Sequence, residues 1–313
     1  MRAFAIDEFG APGSVRELPD PMPGEGQVRV RVAAASLNPA DLGMIAGRYK
    51  ETMEHRFPLI PGLDLGGVVD AIGTGVEGLS IGDPVFGVHG RRLFGEGTLA
   101  EYTIASAANL ARRPATIDPS FGAALSLAGA SALQMADAAG LEPGDIVLVV
   151  GATGGVGSVA VQLIAAAGAR PIAVTRAVNG DYALSLGAVE TIDYEAQDVF
   201  EVVGAAHPDG IAAIFDMAGD KARIGRLSEL VRTGGHVISM TRSADTEALA
   251  ERGITGVNIT TQATTDKLDR LAALVAAGTV RRPAIRELPL ADTGLALAEL
   301  AGRHVRGKLV IVP

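Results

Sequence analysis

From about residue 118 onward, short apolar runs alternate with longer segments of helical spacing. The pattern predicts an apolar helix over 121–139 and strands at 146–150, 172–175, 190–192, 211–215 and 236–239. Helices at 158–167, 180–186 and 222–231 fall between those strands. Continuous Val, Ile and Leu runs bounded by glycine read as strands buried on both faces. Their alternation with helices is the mark of an α/β fold with a parallel, doubly wound sheet. The first third of the chain reads differently. Residues 27–32, Gln-Val-Arg-Val-Arg-Val, alternate polar and apolar as a half-buried strand does. Residues 65–73, 81–87 and 98–104 are further strand candidates punctuated by glycine and proline, which suggests a small β-barrel. An amphipathic helix over 265–277 and a closing strand over 307–313 end the pattern.

A chain of 313 residues holds two domains more readily than one core. Aromatic residues are only 4% and Trp is absent, so no base-stacking platform is expected. The net charge of -9 argues against binding a phosphate backbone, and a small molecule is the expected partner rather than nucleic acid. The absence of Cys excludes disulfides, a thiolate nucleophile and a thiolate metal site. The 5 His show neither H-x-x-x-H nor H-E-x-x-H spacing, and no metal is expected. Met1-Arg2-Ala3-Phe4 runs straight into strand-like sequence, without the apolar stretch of a signal peptide. No apolar run reaches the roughly 18 residues of a membrane span, so no membrane partner and a cytoplasmic location are expected.

The strand at 146–150 leads into Gly151-Ala152-Thr153-Gly154-Gly155-Val156-Gly157 and then into an alanine-rich helix. Strand, glycine turn, helix and second strand follow at βαβ spacing, the order that a dinucleotide site requires. Glycines let the backbone turn close to a pyrophosphate, and the helix amino end faces the anion with free N–H groups. Ala152 stands where the first glycine of G-x-G-x-x-G usually stands. The other reading is a glycine-rich turn without a ligand. An NAD site carries Asp or Glu after the second strand, to bond the ribose hydroxyls. Here Thr175 is followed by Arg176. A guanidinium binds a 2′-phosphate that a carboxylate would repel, so NADPH (NADP) is expected. Otherwise Arg176 is a solvated loop cation.

Five segments in order resemble the zinc-free medium-chain dehydrogenase/reductases of the quinone oxidoreductase type. They are Ala35-Ser36-Leu37-Asn38-Pro39-Ala40-Asp41, Pro58-Leu59-Ile60-Pro61-Gly62-Leu63-Asp64-Leu65-Gly66-Gly67, Gly82-Asp83-Pro84-Val85-Phe86-Gly87, Leu127-Ala128-Gly129-Ala130-Ser131-Ala132-Leu133-Gln134 and Gly307-Lys308. Pro84 replaces the family's usual Arg. The resemblance implies a GroES-like (chaperonin-10-type) barrel over 1–115 and 279–313, and an NADP-binding Rossmann domain over 116–278. It also implies a homodimer. Zinc-dependent cousins hold catalytic zinc through Cys and a G-H-E segment; here Asn38 lies near the first position and Leu63-Asp64 stand for His-Glu. Such a reductase suits quinones and α,β-unsaturated carbonyls, whose conjugation spreads the developing charge without a Lewis acid. Enoyl thioesters and a low-turnover NADPH-binding role are the alternatives.

The same resemblance assigns the site residues. Asn38 aligns beside the nicotinamide and substrate, or is a turn asparagine before Pro39. Asp41 is read as a helix amino-terminal acid. Tyr49 aligns with a cleft tyrosine that orients a carbonyl or donates a proton, or is a surface aromatic. The second tyrosine of some relatives corresponds to about Gly43. Ser131 stands where a Thr hydroxyl meets the nicotinamide, or is a helix serine without a ligand. Tyr194, and near it Asn179, align by the adenosine 2′-phosphate. Ala218 lies in Asp216-Met217-Ala218-Gly219 at a strand's carboxyl end, where such sheets bind ligands. Lys308 reaches the cofactor or is an ordinary surface Lys. Arg91-Arg92 is a solvated loop or helps admit an anionic substrate.

Overall fold

The computed structural model describes residues 1–90 and 93–313; Arg91-Arg92 lies outside the described residues. The chain divides into two compact units. One comprises Met1–Ala130, Ala263–Ala277 and Arg282–Pro313; the other comprises Ser131–Gln262 and Gly278–Arg281.

The first unit begins with a hairpin of β1 (Arg2–Ala5) and β2 (Ser14–Glu17). Its longest strand, β3 (Gln27–Ser36), is followed by α1 (Pro39–Ile45), β4 (Glu54–Ile60), β5 (Asp64–Ile72), β6 (Pro84–Val88), β7 (Leu93–Glu96), β8 (Tyr102–Ser106) and β9 (Leu110–Arg112). β3 pairs antiparallel with both β5 and β8, β5 with β6, and β6 with β9. The alternation read in the sequence has its cause here. Val28, Val30 and Val32 are buried, while Arg29 faces out to pair with Asp70 at 2.6 Å. Leu65, Val69, Val85 and Leu110 meet Val28 and Val30 in one apolar cluster. Two register shifts in the β3–β5 pair bend the sheet. Gly67 permits this close pairing, since a Cβ there would lie 2.3 Å from the Arg31 carbonyl oxygen.

The division between units falls inside the long apolar helix α2 (Pro119–Ala139). The second unit then alternates β10 (Ile146–Val150), α3 (Gly155–Ala166), β11 (Arg170–Thr175), α4 (Gly180–Ser185), β12 (Glu190–Asp193), α5 (Val199–Ala206), β13 (Ile211–Asp216), α6 (Lys221–Ser228), β14 (Val231–Ser239), α7 (Thr246–Glu251) and β15 (Thr255–Asn258). The sheet order is β12-β11-β10-β13-β14-β15 and every neighbouring pair is parallel. This is the 3-2-1-4-5-6 order of dinucleotide-binding sheets. Leu148, Val150, Ile172, Val174, Ile214 and Val237 fill its core. The helix expected over 222–231 stops at Ser228, because Val231 already pairs with Ile211 and begins β14. α3 begins at Gly155, ahead of the expected Ser158.

The chain then returns to the first unit through α8 (Thr265–Ala276), β16 (Ile285–Pro289), α9 (Thr293–Ala301) and β17 (Lys308–Val312). β17 pairs antiparallel with β3 and parallel with β16. The expected domain limits, 115/116 and 278/279, differ from these units at three places. Residues 116–130 and 263–277 group with the first unit, and residues 279–281 with the second. The Thr265 hydroxyl donates to the carbonyls of Ala108 and Leu110, and Leu271 lies against Gly129.

Two glycines of the turn before α3 differ in the space around them. A Cβ on Gly157 would lie 2.2 Å from the Gly151 carbonyl oxygen, whereas one on Gly154 meets nothing nearer than 3.5 Å. Gly157→Ala is therefore expected to destabilise the chain by about 1–3 kcal/mol. Gly154→Ala should stay within about 0.5 kcal/mol of the parent. Urea unfolding followed by circular dichroism checks this, and equal midpoints for the two variants would refute the close packing.

Candidate functional site

In the second unit the site is built on the end of β10. Gly151 has φ +86, a conformation that side-chain-bearing residues rarely adopt. The Gly154 N–H donates back to the Gly151 carbonyl at 3.2 Å, closing the turn. Ser158 N donates to Gly154 O at 2.9 Å, so the N–H groups of Gly155, Val156 and Gly157 precede the intrahelical ladder. The N-cap residue is Gly154, and no side chain caps the helix. An arrangement of this kind could hold a diphosphate. Ala152 is fully buried under the turn. The hydroxyls of Thr153 and Thr175 lie 2.9 Å apart and tie the turn to the end of β11. Ala218 sits beside Gly151, its Cβ 3.0 Å from where a Gly151 Cβ would be. Ser131 is buried, and its hydroxyl lies 2.7 Å from that of Thr261.

Thr175 pairs in register with Asp193 on β12. Arg176 and Tyr194 therefore leave adjacent parallel strands side by side. Arg176 is half-buried. Its guanidinium makes no hydrogen bond or ion pair among the described residues. Tyr194 is 37% exposed. Asn179 is buried just before α4.

The carboxylate of Asp216, at the end of β13, is fully buried and organises two loops. Oδ1 accepts from the N–H groups of Ala218 (3.1 Å) and Gly219 (2.6 Å). Oδ2 accepts from the hydroxyls of Ser239 (2.7 Å) and Thr241 (2.5 Å). Ser243 joins through Thr241 at 2.7 Å. Sequence reasoning found Asp216 but missed these hydroxyls. Their signal is the Ser239-x-Thr241-x-Ser243 spacing just past an apolar strand.

The first unit contains a separate buried polar cluster. The Lys308 ammonium, 5% exposed, donates to Leu37 O (2.8 Å) and Asn38 Oδ1 (2.6 Å) and lies 3.5 Å from Asp64 Oδ2. Asn38 Nδ2 donates to Asp64 Oδ2 (2.9 Å) and Ser36 O (3.3 Å). Asp64 Oδ1 accepts from Leu127 N at 3.1 Å. The polar ends of Asn38 and Lys308 are thus turned inward and satisfied within this unit. The surface position offered for Lys308 is corrected, because β17 carries it under the loop before α1. Asp41 accepts from Asn38 N at 2.7 Å, which is the amino-terminal role read for it. Tyr49 is half-buried, with its ring laid on Gly43: a Cβ at 43 would lie 3.1 Å from Cε2 and 3.2 Å from the hydroxyl oxygen.

This cluster does not fit zinc. Leu63 offers no donor atom, and the oxygens of Asp64 are held by N–H groups beside an ammonium. Among the described residues no group of three His, Asp or Glu side chains could hold a metal ion.

Burial pushes the Asp41 carboxyl up to about 7, with Asp64 adding to the rise and the Asn38 N–H and Lys308 opposing it. Burial likewise raises Asp64 against the pull of Lys308, and lowers Lys308 against the pull of Asp64. Asp41 Oδ1 has no hydrogen-bond partner among the described residues, so a proton there displaces no bond. Folded Asp41 keeps its proton up to about pH 7, whereas the unfolded chain releases it near 3.8. Its contribution to stability is complete below the unfolded value and is lost as pH rises through the folded one. Asp41→Asn should remove this loss. The difference in urea midpoint between variant and parent should grow in the variant's favour from roughly pH 5 to pH 8. A constant difference would refute the assignment.

A family model for the alcohol dehydrogenase GroES-like domain matches residues 24–115, and one for zinc-binding dehydrogenases matches 186–311. The NADPH-dependent alkenal/one oxidoreductase of Arabidopsis thaliana chloroplasts is 30% identical over 329 residues, covering 100% of this chain and 80% of that protein. The 2-methylene-furan-3-one reductase of Solanum lycopersicum is 32% identical over 250 residues. That match covers 77% of this chain and only 62% of the tomato protein. The solved quinone oxidoreductase from Coxiella burnetii superposes with a TM-score of 0.89 at 28% identity, covering 100% of this chain and 99% of that one. The first unit is accordingly built on a GroES-like barrel and the second on a Rossmann sheet, and the chain belongs to the medium-chain dehydrogenase/reductase family, among the quinone oxidoreductases and their relatives.

Proposed function

We propose that this chain is an NADPH-dependent oxidoreductase that reduces quinones or α,β-unsaturated carbonyls by two-electron transfer without a metal. The observation that carries the reading is the uncapped amino end of α3 behind a glycine turn, with Arg176, unpaired among the described residues, leaving the next strand beside Tyr194. The names of the Arabidopsis and tomato relatives support the substrate class. NADPH, when bound, supplies the hydride. The backbone N–H groups of 155–157 hold the diphosphate, and Thr153 and Thr175 brace that turn. Arg176 offers two parallel donors to the 2′-phosphate. Ser131 and Ala218 line the cofactor. The Tyr49 phenol orients the substrate carbonyl or delivers the proton that completes reduction at the α-carbon. Asn38 and Lys308 serve as a braced floor, since their polar ends are already bonded within the barrel. We further place the protein in the cytoplasm as a homodimer. No helix among the described residues is long and apolar enough to cross a membrane.

The inward-facing Asn38 favours one second reading, an NADPH-binding protein with little turnover. Titration by nicotinamide fluorescence, followed by a quinone and enone panel, separates the two. NADPH should bind more tightly than NADH, and Arg176→Asp should weaken NADPH about 10- to 100-fold while sparing NADH. Binding without turnover across the panel would favour the second reading, and no binding of either nucleotide would defeat both. If Tyr49 delivers the proton, Tyr49→Phe should lower kcat on enones about 100-fold with little change in KM. An unchanged kcat would transfer that role to water.

A further inference from the structure

We infer that Arg223 is a second guanidinium of the adenosine-phosphate pocket and a determinant of cofactor specificity. The inference rests on the NADPH reading and names a residue that no sequence motif indicated. Arg223 lies on α6, one strand beyond the glycine turn, yet its guanidinium sits over the Tyr194 ring at 5.4 Å from the centroid. Tyr194 is the residue beside which Arg176 emerges. Arg223 thus reaches from the far half of the sheet to the tyrosine whose backbone neighbour is Arg176.

The contrast with Arg226, one turn later on the same helix, is informative. Arg226 also stacks on an aromatic ring, that of Phe200 at 4.6 Å, but it pairs with Asp198 at 2.8 Å and Glu201 at 3.3 Å. Arg223 has no ion pair among the described residues. Acidic groups are close in the chain. Asp193 and Glu195 flank Tyr194, and Asp220 caps α6 by accepting from the Arg223 backbone N–H at 2.9 Å. Asp193 is turned to the Glu195 N–H at 3.1 Å. With the Asp193 and Asp220 carboxylates accepting backbone N–H groups, the guanidiniums of Arg176 and Arg223 have no carboxylate partner among the described residues.

The ring contact also leaves Arg223 able to bind an anion. A cation over an aromatic ring spends no N–H donor on an acceptor, and the Arg223 guanidinium makes no hydrogen bond or ion pair among the described residues. Those donors match the oxygens of a phosphate monoester. Tyr194 thus acts as a shelf that holds Arg223 ready, and the class of ligand is a phosphate monoester carried on an adenosine.

The test is isothermal calorimetry with 2′,5′-ADP and with 5′-ADP on the full chain. The variants are Arg223→Met, which keeps a long apolar stem, and Arg226→Met as a control. The expected result is a loss of about tenfold or more for 2′,5′-ADP in Arg223→Met, with 5′-ADP changed less than about twofold. Arg226→Met should leave the ratio of the two affinities unchanged. An equal loss for both ligands would make Arg223 an adenine wall and overturn the inference, as would no loss for either. If the parent protein does not prefer 2′,5′-ADP and Arg176→Asp changes nothing, the NADPH reading itself fails. Loss of preference in Arg176→Asp but not in Arg223→Met overturns the role of Arg223 alone.

Discussion

The first turn of α3 lies against the carboxyl end of β10 because residue 157 has no side chain. Gly151 O occupies the space where its Cβ would be, at 2.2 Å. Much of the nucleotide unit follows from that approach. It brings the free N–H groups of 155–157 to the edge of the sheet, where a diphosphate would meet them along the helix dipole. It also sets Thr153 within hydrogen-bonding distance of Thr175, so turn and second strand move as one piece. Arg176 inherits its position from that tie, being the next residue along. Register then does the rest: Thr175 pairs with Asp193, which leaves Arg176 next to Tyr194. A single close backbone contact and one strand register thus fix the residues that would distinguish one dinucleotide from another.

The barrel depends on a contact of a different kind. Asn38 and Lys308 are 270 residues apart, and their bond closes the first unit between its early strands and its last one. The cluster holds two carboxyls and one ammonium with almost no water contact. Burial of such charges is costly unless they are matched in number and hydrogen-bonded. A proton on Asp41 leaves one carboxylate and one ammonium, and every remaining charge then has a partner. The consequence is a unit whose polar core is best satisfied when Asp41 is neutral. An ammonium so placed also removes the vacancy that a metal would need, because the Asp64 oxygens already serve N–H donors.

The nucleotide unit was the more legible in the sequence. Its strands are runs of apolar residues buried on both faces, and its turn carries glycines whose role is local. The elements at 146–150, 172–175 and 211–215 are found within two residues of their expected limits. The barrel was legible only in part. β4 carries Glu54, His55, Arg56 and Pro58 and mostly faces solvent, so it shows no apolar alternation. β1, β2, β16 and α9 are short, and they acquire their structure from partners distant in sequence. Site residues divide in the same way. Gly151 and Gly154 announce themselves by type. The inward turn of Asn38 and Lys308 does not, because it depends on a strand pairing between the two ends of the chain. Nor does the stacking of Arg223, which brings together two halves of a sheet that the sequence lists far apart.

Tyr49 shows how an absent side chain specifies a site. Its phenol lies over Gly43, touching the space a Cβ would fill, and its ring packs with Ile6, Met44 and Leu59. Positions 43 and 49 therefore compete for one volume beside α1. A tyrosine at 43 would displace the one at 49, and two could coexist only if the loop carrying residue 49 moved away. Glycine at 43 resolves the competition in favour of Tyr49 and draws the loop after α1 down onto the helix. Gly47 helps from the other side: its φ of +72 turns the chain, and Phe9 closes over it. The phenol is therefore held by packing on a helix rather than carried on a free loop, and that is the condition under which a single hydroxyl can orient a carbonyl.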